Sequence, residues 1–183
     1  IVIYEYDILC FYFLFFIDMY TKENLMNALS NEFRIIKHLA EKIPADTEGY
    51  KPTEKQRTTL DLLQYLSMIF VSCAKYIQNG EMGIFKEESE KSVNVTIANF
   101  AESMDAQEAE VKEIMNQFTD EDLETMFDMF KQGEKTKMVW LVESFLRFSA
   151  AYKMQLFLYI KSSGNTSLGT SNVWGGMDMP ASQ

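Results

Sequence analysis

The stretch KTKMVWLVESFLRFSAAYKMQLFLYIK, residues 135–161, decides the fold. Met138, Leu141, Val142, Phe145, Phe148, Tyr152, Gln155, Leu156, Tyr159 and Ile160 recur in it with a helical period. Side chains three and four apart share one face of an α-helix, so this is a single buried stripe. The spacing predicts a helix of about 27 residues that ends at Gly164. It is the longest strongly patterned segment of the 183-residue chain.

Working backwards, the same period appears three more times. Thr21 is suited to cap a helix whose stripe is Leu25, Leu29, Phe33, Ile36, Leu39 and Ile43, closed by Pro44. His38 falls beside that stripe and is expected at a rim or facing solvent. A polar loop, PADTEGYKPTEKQR (44–57), follows. Thr58 and Asp61 have capping-box spacing, and Leu60, Leu63, Ser67, Phe70, Ala74 and Ile77 mark a second helix. Leu66, Ile69, Val71 and Cys73 widen its apolar surface, and Gly80 fits its C-terminal cap. Residues 80–95 read as a long connection with a charged centre, KEESEK.

A third helix is expected from about Thr96 to Phe118, with Ile97, Phe100, Ala101, Met104, Val111, Ile114, Met115 and Phe118 inward. Its other face carries Glu102, Asp105, Glu108, Glu110 and Glu113, a solvated row. DLETMFDMF (122–130) fits either a helical turn or an extended piece, and Gly133 marks a break. The tail after about residue 162 is Ser/Gly-rich, with Trp174 expected to anchor it. The fold class is therefore all-α: an antiparallel four-helix bundle with a long connection between helices 2 and 3.

Residues 19–183 form one domain on this reading. The opening IVIYEYDILCFYFLFFID is different in kind. Its apolar run, Ile8 to Ile17, is ten residues long, too short to span a bilayer. It has no basic n-region and no cleavage-site pattern. Met19 reads as the natural start and residues 1–18 as an upstream-translated or non-native extension; the alternative is a real membrane-proximal or sheet-forming segment.

The net charge of −10 repels phosphate backbones, so no nucleic acid is expected as a partner, and no membrane either. Two cysteines, Cys10 and Cys73, are too few for a disulfide framework or a thiolate metal site. Their usage fits a reducing compartment, and a cytoplasmic location is expected. Cys73 lies in an apolar helix, which makes it a core thiol rather than a nucleophile.

The single histidine excludes most site chemistries. A di-iron centre in a helical bundle needs Glu-x-x-His pairs, and Glu41, Glu102, Glu113 and Glu143 all lack the histidine. The string GEMG at 80–83 follows no strand, so it is not a phosphate loop. Nucleophile elbows, Cys-x-x-Cys and His-Glu-x-x-His are missing too. Met177 and Met179 have copper-site spacing, but only in the irregular tail.

Three strings in order resemble the DinB-like family of bacterial four-helix-bundle proteins. RTTLDLLQYLS (57–67) resembles the family's polar start and apolar helix carrying a histidine. SFLRFSAAYKMQLFLYIK (144–161) resembles a pattern of His-x-x-x-His followed by basic-Gly-Gln-Leu and Tyr-Leu-Arg. Lys153, Gln155, Leu156, Tyr159 and Lys161 are in matching places, with Met154 where glycine is usual. SNVWGGMD (171–178) resembles an Asn-x-Trp-x-Gly-hydrophobic-Asp ending. In the family, one histidine of the second helix and two of the fourth bind a divalent metal, which some members use to activate a small thiol. The corresponding positions here are Tyr65, Phe148 and Tyr152. Phenylalanine offers no donor atom, and tyrosine would have to ionise from a reference pKa of about 10.

The resemblance thus implies the fold and a degenerate metal site, with no metal and no cofactor expected and no catalytic residue assigned. The function it implies is a non-catalytic ligand-binding, structural or interaction protein. Its expected partners are a second copy of the chain and a small apolar or thiol ligand, with Tyr65, Phe148 and Tyr152 lining the pocket or filling a closed core. The alternative is a metal- and small-thiol-dependent transferase or isomerase working through a non-standard site.

Overall fold

The computed structural model describes residues 21–179. The reading of residues 1–18 as an extension, with Met19 as the start, lies outside the described residues. Helix α1 spans Lys22–Ala40, and the Thr21 hydroxyl caps it by accepting from the Asn24 amide. Leu25, Leu29, Phe33, Ile36 and Leu39 are fully or almost fully buried, as their spacing requires. The capping box at Thr58 and Asp61 starts α2, Thr59–Leu66, with both reciprocal bonds formed, 2.9 and 3.1 Å.

The second helix of the sequence reading is in fact two. Met68 leaves helical geometry (φ −129°), and α3 runs from Ile69 to Asn79, closed by Gly80 at φ 76°. Taken together, Thr59–Asn79 is long and apolar enough by composition to cross a bilayer. Two thirds of its most apolar window (67%) is buried within the protein, as for a core helix.

The expected loop at 80–95 contains a helix, α4 (Ile84–Ser92). Its buried face is Ile84, Glu88 and Ser92, four residues apart. Two of those three are polar, which hid the period. Lys75 and Lys91 hold the Glu88 carboxylate at 2.8 and 2.6 Å. Helix α5, Phe100–Gln117, begins later than expected, because Thr96 to Asn99 form a turn in which Asn99 Oδ1 accepts from the Thr96 amide.

The ambiguous piece 122–130 is both of its alternatives. It supplies the end of a short helix, α6 (Asp120–Glu124), and a strand, β1 (Met126–Asp128). Strand β2, Glu134–Thr136, pairs with β1 antiparallel, Phe127 opposite Lys135. The expectation of an all-α chain is corrected to a mostly helical one with this small hairpin. Helix α7, Lys137–Ser162, follows directly.

Helices α1 and α3 each pack against both α5 and α7, so the four share one core. Phe33, Phe70 and Phe145 are fully buried at its centre, with Phe70 edge-on to Phe33 at 4.9 Å and to Phe145 at 6.2 Å. Burying a side chain of this size contributes about 1.5–3 kcal/mol, and each aromatic pair about 0.5–1.5 kcal/mol more.

The tail returns across α1. Trp174 does not anchor it: its side chain is 69% exposed. Leu168, Asn172 and Val173 are the buried residues. The Asn172 amide donates to the Met177 carbonyl (3.1 Å) and to Asp178 Oδ1 (2.9 Å), and its nitrogen lies 3.2 Å from His38 Nε2. His38 is thus partly covered by the tail, at the rim rather than open to solvent, which is one of the two placements expected of it. Gly176 takes up φ 57° where the chain presses on α1; a Cβ there would lie 3.2 Å from the Ile35 backbone.

Candidate functional site

Helices α2 and α7 bring Tyr65, Phe148 and Tyr152 together. Phe148 and Tyr152 are four residues apart on α7, so they share a face, and their rings lie 6.0 Å apart. Tyr65 meets Tyr152 edge-on at 4.8 Å. The two tyrosine hydroxyls face each other at 3.4 Å, beyond the usual O–H···O range of about 2.5–3.0 Å. All three side chains are half-buried. Burial, and next the Tyr152 hydroxyl, push the Tyr65 pKa well above the ordinary tyrosine range, so Tyr65 keeps its proton.

A fourth residue completes the cluster, and the sequence reading did not single it out. The guanidinium carbon of Arg57 lies 4.1 Å from the Tyr65 ring centre and 5.5 Å from that of Tyr152. Such stacking stabilises by about 0.5–2 kcal/mol. Arg57 Nη1 is buried and has no hydrogen-bond partner. Its backbone is fixed from α7: Gln155 donates to the Tyr159 hydroxyl (2.8 Å), which donates to the Arg57 carbonyl (3.2 Å). The only signal in the sequence was position, since Arg57 heads the string that carries Tyr65.

The other motif residues of α7 form a frame around this cluster. Lys153 is 7% exposed and pairs with Glu32 of α1 at 2.6 Å. Leu156 is fully buried, and Lys161 donates to the Leu168 carbonyl of the tail. Cys73 is fully buried, and burial pushes its thiol up to about 12, which removes it as a nucleophile.

Beside the cluster lies a cleft of about 180 Å³, lined by Arg57, Asp61, Gln64, Tyr65, Met68 and Ser92 among others. Tyr152 and Phe148 are not in its lining. A larger groove of about 880 Å³ opens elsewhere, between the start of α1, α5 and α6.

The crystal structure of a DinB-like protein, YjoA from Bacillus subtilis, superposes with a TM-score of 0.63 over 79% of this chain and 95% of that one, at 22% sequence identity. The chain is DinB-like in fold. In sequence it is 28% identical over 138 residues to the uncharacterized protein YjoA of Bacillus subtilis (strain 168), covering 73% of this chain and 85% of that protein. No family model matches the chain.

A DinB-like fold raises the question of a metal, and the donor set here does not fit one. Phe148 has no lone pair to give, and Tyr65 is held protonated. Among the described residues no group of three or more His, Cys, Asp and Glu side chains could hold an ion. The guanidinium of Arg57 beside the tyrosines would also repel a cation.

Proposed function

We propose that this DinB-like chain, an antiparallel four-helix bundle at its core, is a non-catalytic protein that binds a small ligand beside Tyr65, Phe148 and Tyr152. One observation supports the reading above all: a cation, two phenols and a phenyl ring are packed together where the resemblance would place three metal ligands. That set can stack on an apolar body and donate hydrogen bonds, but it offers no ion to polarise a bound water.

The test is elemental analysis of the purified protein together with thermal shift against small thiols and apolar aromatics. Less than about a tenth of an equivalent of zinc or nickel, with a shift from an apolar ligand, is the expected result. Stoichiometric zinc or nickel would overturn the reading in favour of a metal- and thiol-dependent transferase. Pairing with a second copy of the chain is part of the proposal. Val139, Leu146, Met154 and Leu158 of α7 are exposed and give such a pairing an apolar surface to cover. Light-scattering mass decides it, with a monomer as the contrary result.

A further inference from the structure

Arg57 is where the proposed ligand site can be made chemically specific. An Arg side chain carries five N–H donors and is always charged. Here Nη1 is cut off from water and has no acceptor, while the guanidinium lies on the Tyr65 ring. An unmet donor on a charged group is costly, and an aromatic face offsets only part of that cost. Asp61, the carboxylate in the cleft lining, makes no bond to Arg57; its Oδ2 accepts from the Thr58 amide at 2.9 Å and helps cap α2. The Thr58 amide and hydroxyl, and then Arg57, lower its pKa from the ordinary value. Gln64 is committed too, donating to the carbonyls of Val93 and Val95.

We propose that the cleft takes a small monocarboxylate of about the size of benzoate, bound to Arg57. The size follows from the volume, about 180 Å³, since cavities of about 150 Å³ accept benzene. The single charge follows from the surroundings. Asp61 lines the same cleft and the chain carries −10 overall, so a dianion such as phosphate meets repulsion that a monoanion meets less. The apolar body follows from Tyr65 and Met68 in the lining. Binding requires the half-exposed Arg57 side chain to swing in the plane of its guanidinium. It then stays on the Tyr65 face while Nη1 gains the acceptor it lacks.

This inference rests on the ligand-binding reading above, and its failure can be told apart from the failure of that reading. The probe is sodium benzoate, titrated into the full chain and followed by amide chemical shifts, with benzamide as the neutral isostere and inorganic phosphate as the dianion. Saturable shifts at Thr58, Asp61, Tyr65 and Ser92 are expected, with Kd of about 0.1–1 mM. Benzamide and phosphate should bind about tenfold more weakly or worse. Arg57→Gln should weaken benzoate by about tenfold or more, and Arg57→Lys by less. Arg57→Gln loses the stacking on Tyr65 and should melt somewhat below wild type, whereas Arg57→Lys keeps a cation there; if Arg57→Gln does not fold, Arg57→Lys and the benzamide comparison decide. Equal binding of benzoate and benzamide, shifts that cluster elsewhere, or an unchanged affinity in Arg57→Gln would overturn the proposal. Binding of neutral aromatics alone would do so while leaving the ligand-binding reading intact. Stoichiometric metal would remove that reading by a separate measurement.

Discussion

The Gln107 side chain of α5 sits in the break between α2 and α3, where its Oε1 accepts from the Phe70 amide at 3.1 Å. The same oxygen accepts from the Val71 amide at 3.2 Å, and its Nε2 donates to the Leu66 carbonyl at 2.9 Å. A helix break in the core orphans backbone groups, and these three are met by one side chain that is 3% exposed. Gln107→Leu keeps the volume and loses all three bonds. It should lower unfolding free energy by about 2–4 kcal/mol in urea, with the m-value unchanged.

The tail offers a backbone test. Gly176 is left-handed at φ 57°, and a Cβ there would meet Arg34 Nη1 at 2.7 Å and the Ile35 backbone at 3.2 Å. Gly176→Ala should cost about 1–2 kcal/mol, and protease should cut first at residues 165–178. Gly169→Ala, where the added methyl meets nothing within 4 Å, is the control and should cut like wild type.

Alkali should destabilise the fold through Cys73. Unfolded, the thiol ionises near its ordinary value of 9.0; folded, it holds its proton to about 12. Between these values the unfolded chain has released a proton that the folded chain keeps, so rising pH favours unfolding. Stability should be level below pH 9 and fall from there towards 12. Tyr65, also pushed up, adds a fall in the same direction above its ordinary 10.0. Cys73→Ala should flatten the first part of the slope in melting curves taken across this range, whatever its own offset in stability.

Restoring imidazoles is the direct test of the altered centre. Tyr65→His, Phe148→His and Tyr152→His together place two imidazoles four residues apart on α7 and one on α2. Three such ligands with open positions suit zinc. Combined with Arg57→Gln to remove the neighbouring cation, the variant should bind about one zinc per chain and gain melting temperature with added metal. The unaltered chain should show neither change. Failure to bind zinc would mean that the three positions do not converge as their rings do here.

How far the sequence could be read differs from segment to segment. Stripes of Leu, Phe and Ile located α1, α5 and α7 to within a few residues, because apolar burial writes itself into spacing. Capping residues Thr21, Thr58, Asp61 and Gly80 gave true ends for the same reason: their chemistry is local. The break at Met68 had no local signal, since what stabilises it is Gln107, far along the chain. Helix α4 was missed because Glu88 and Ser92 make its inner face, and their partners are Lys75 and Lys91. At the site, resemblance named Tyr65, Phe148 and Tyr152, and the fold brings them together. Arg57 could not be found that way: its importance lies in a missing partner, which only three dimensions reveal.

The tail also sets a timetable for folding. Arg34 donates to the Gly175 and Gly176 carbonyls, His38 meets the Asn172 amide, and Lys42, just past the helix, pairs with Asp178 at 2.6 Å. These partners of the first helix are among the last of the described residues to be synthesised. On the ribosome, α1 must wait with its outer edge unmet through the making of α7, and an early stop near residue 164 would leave it so permanently.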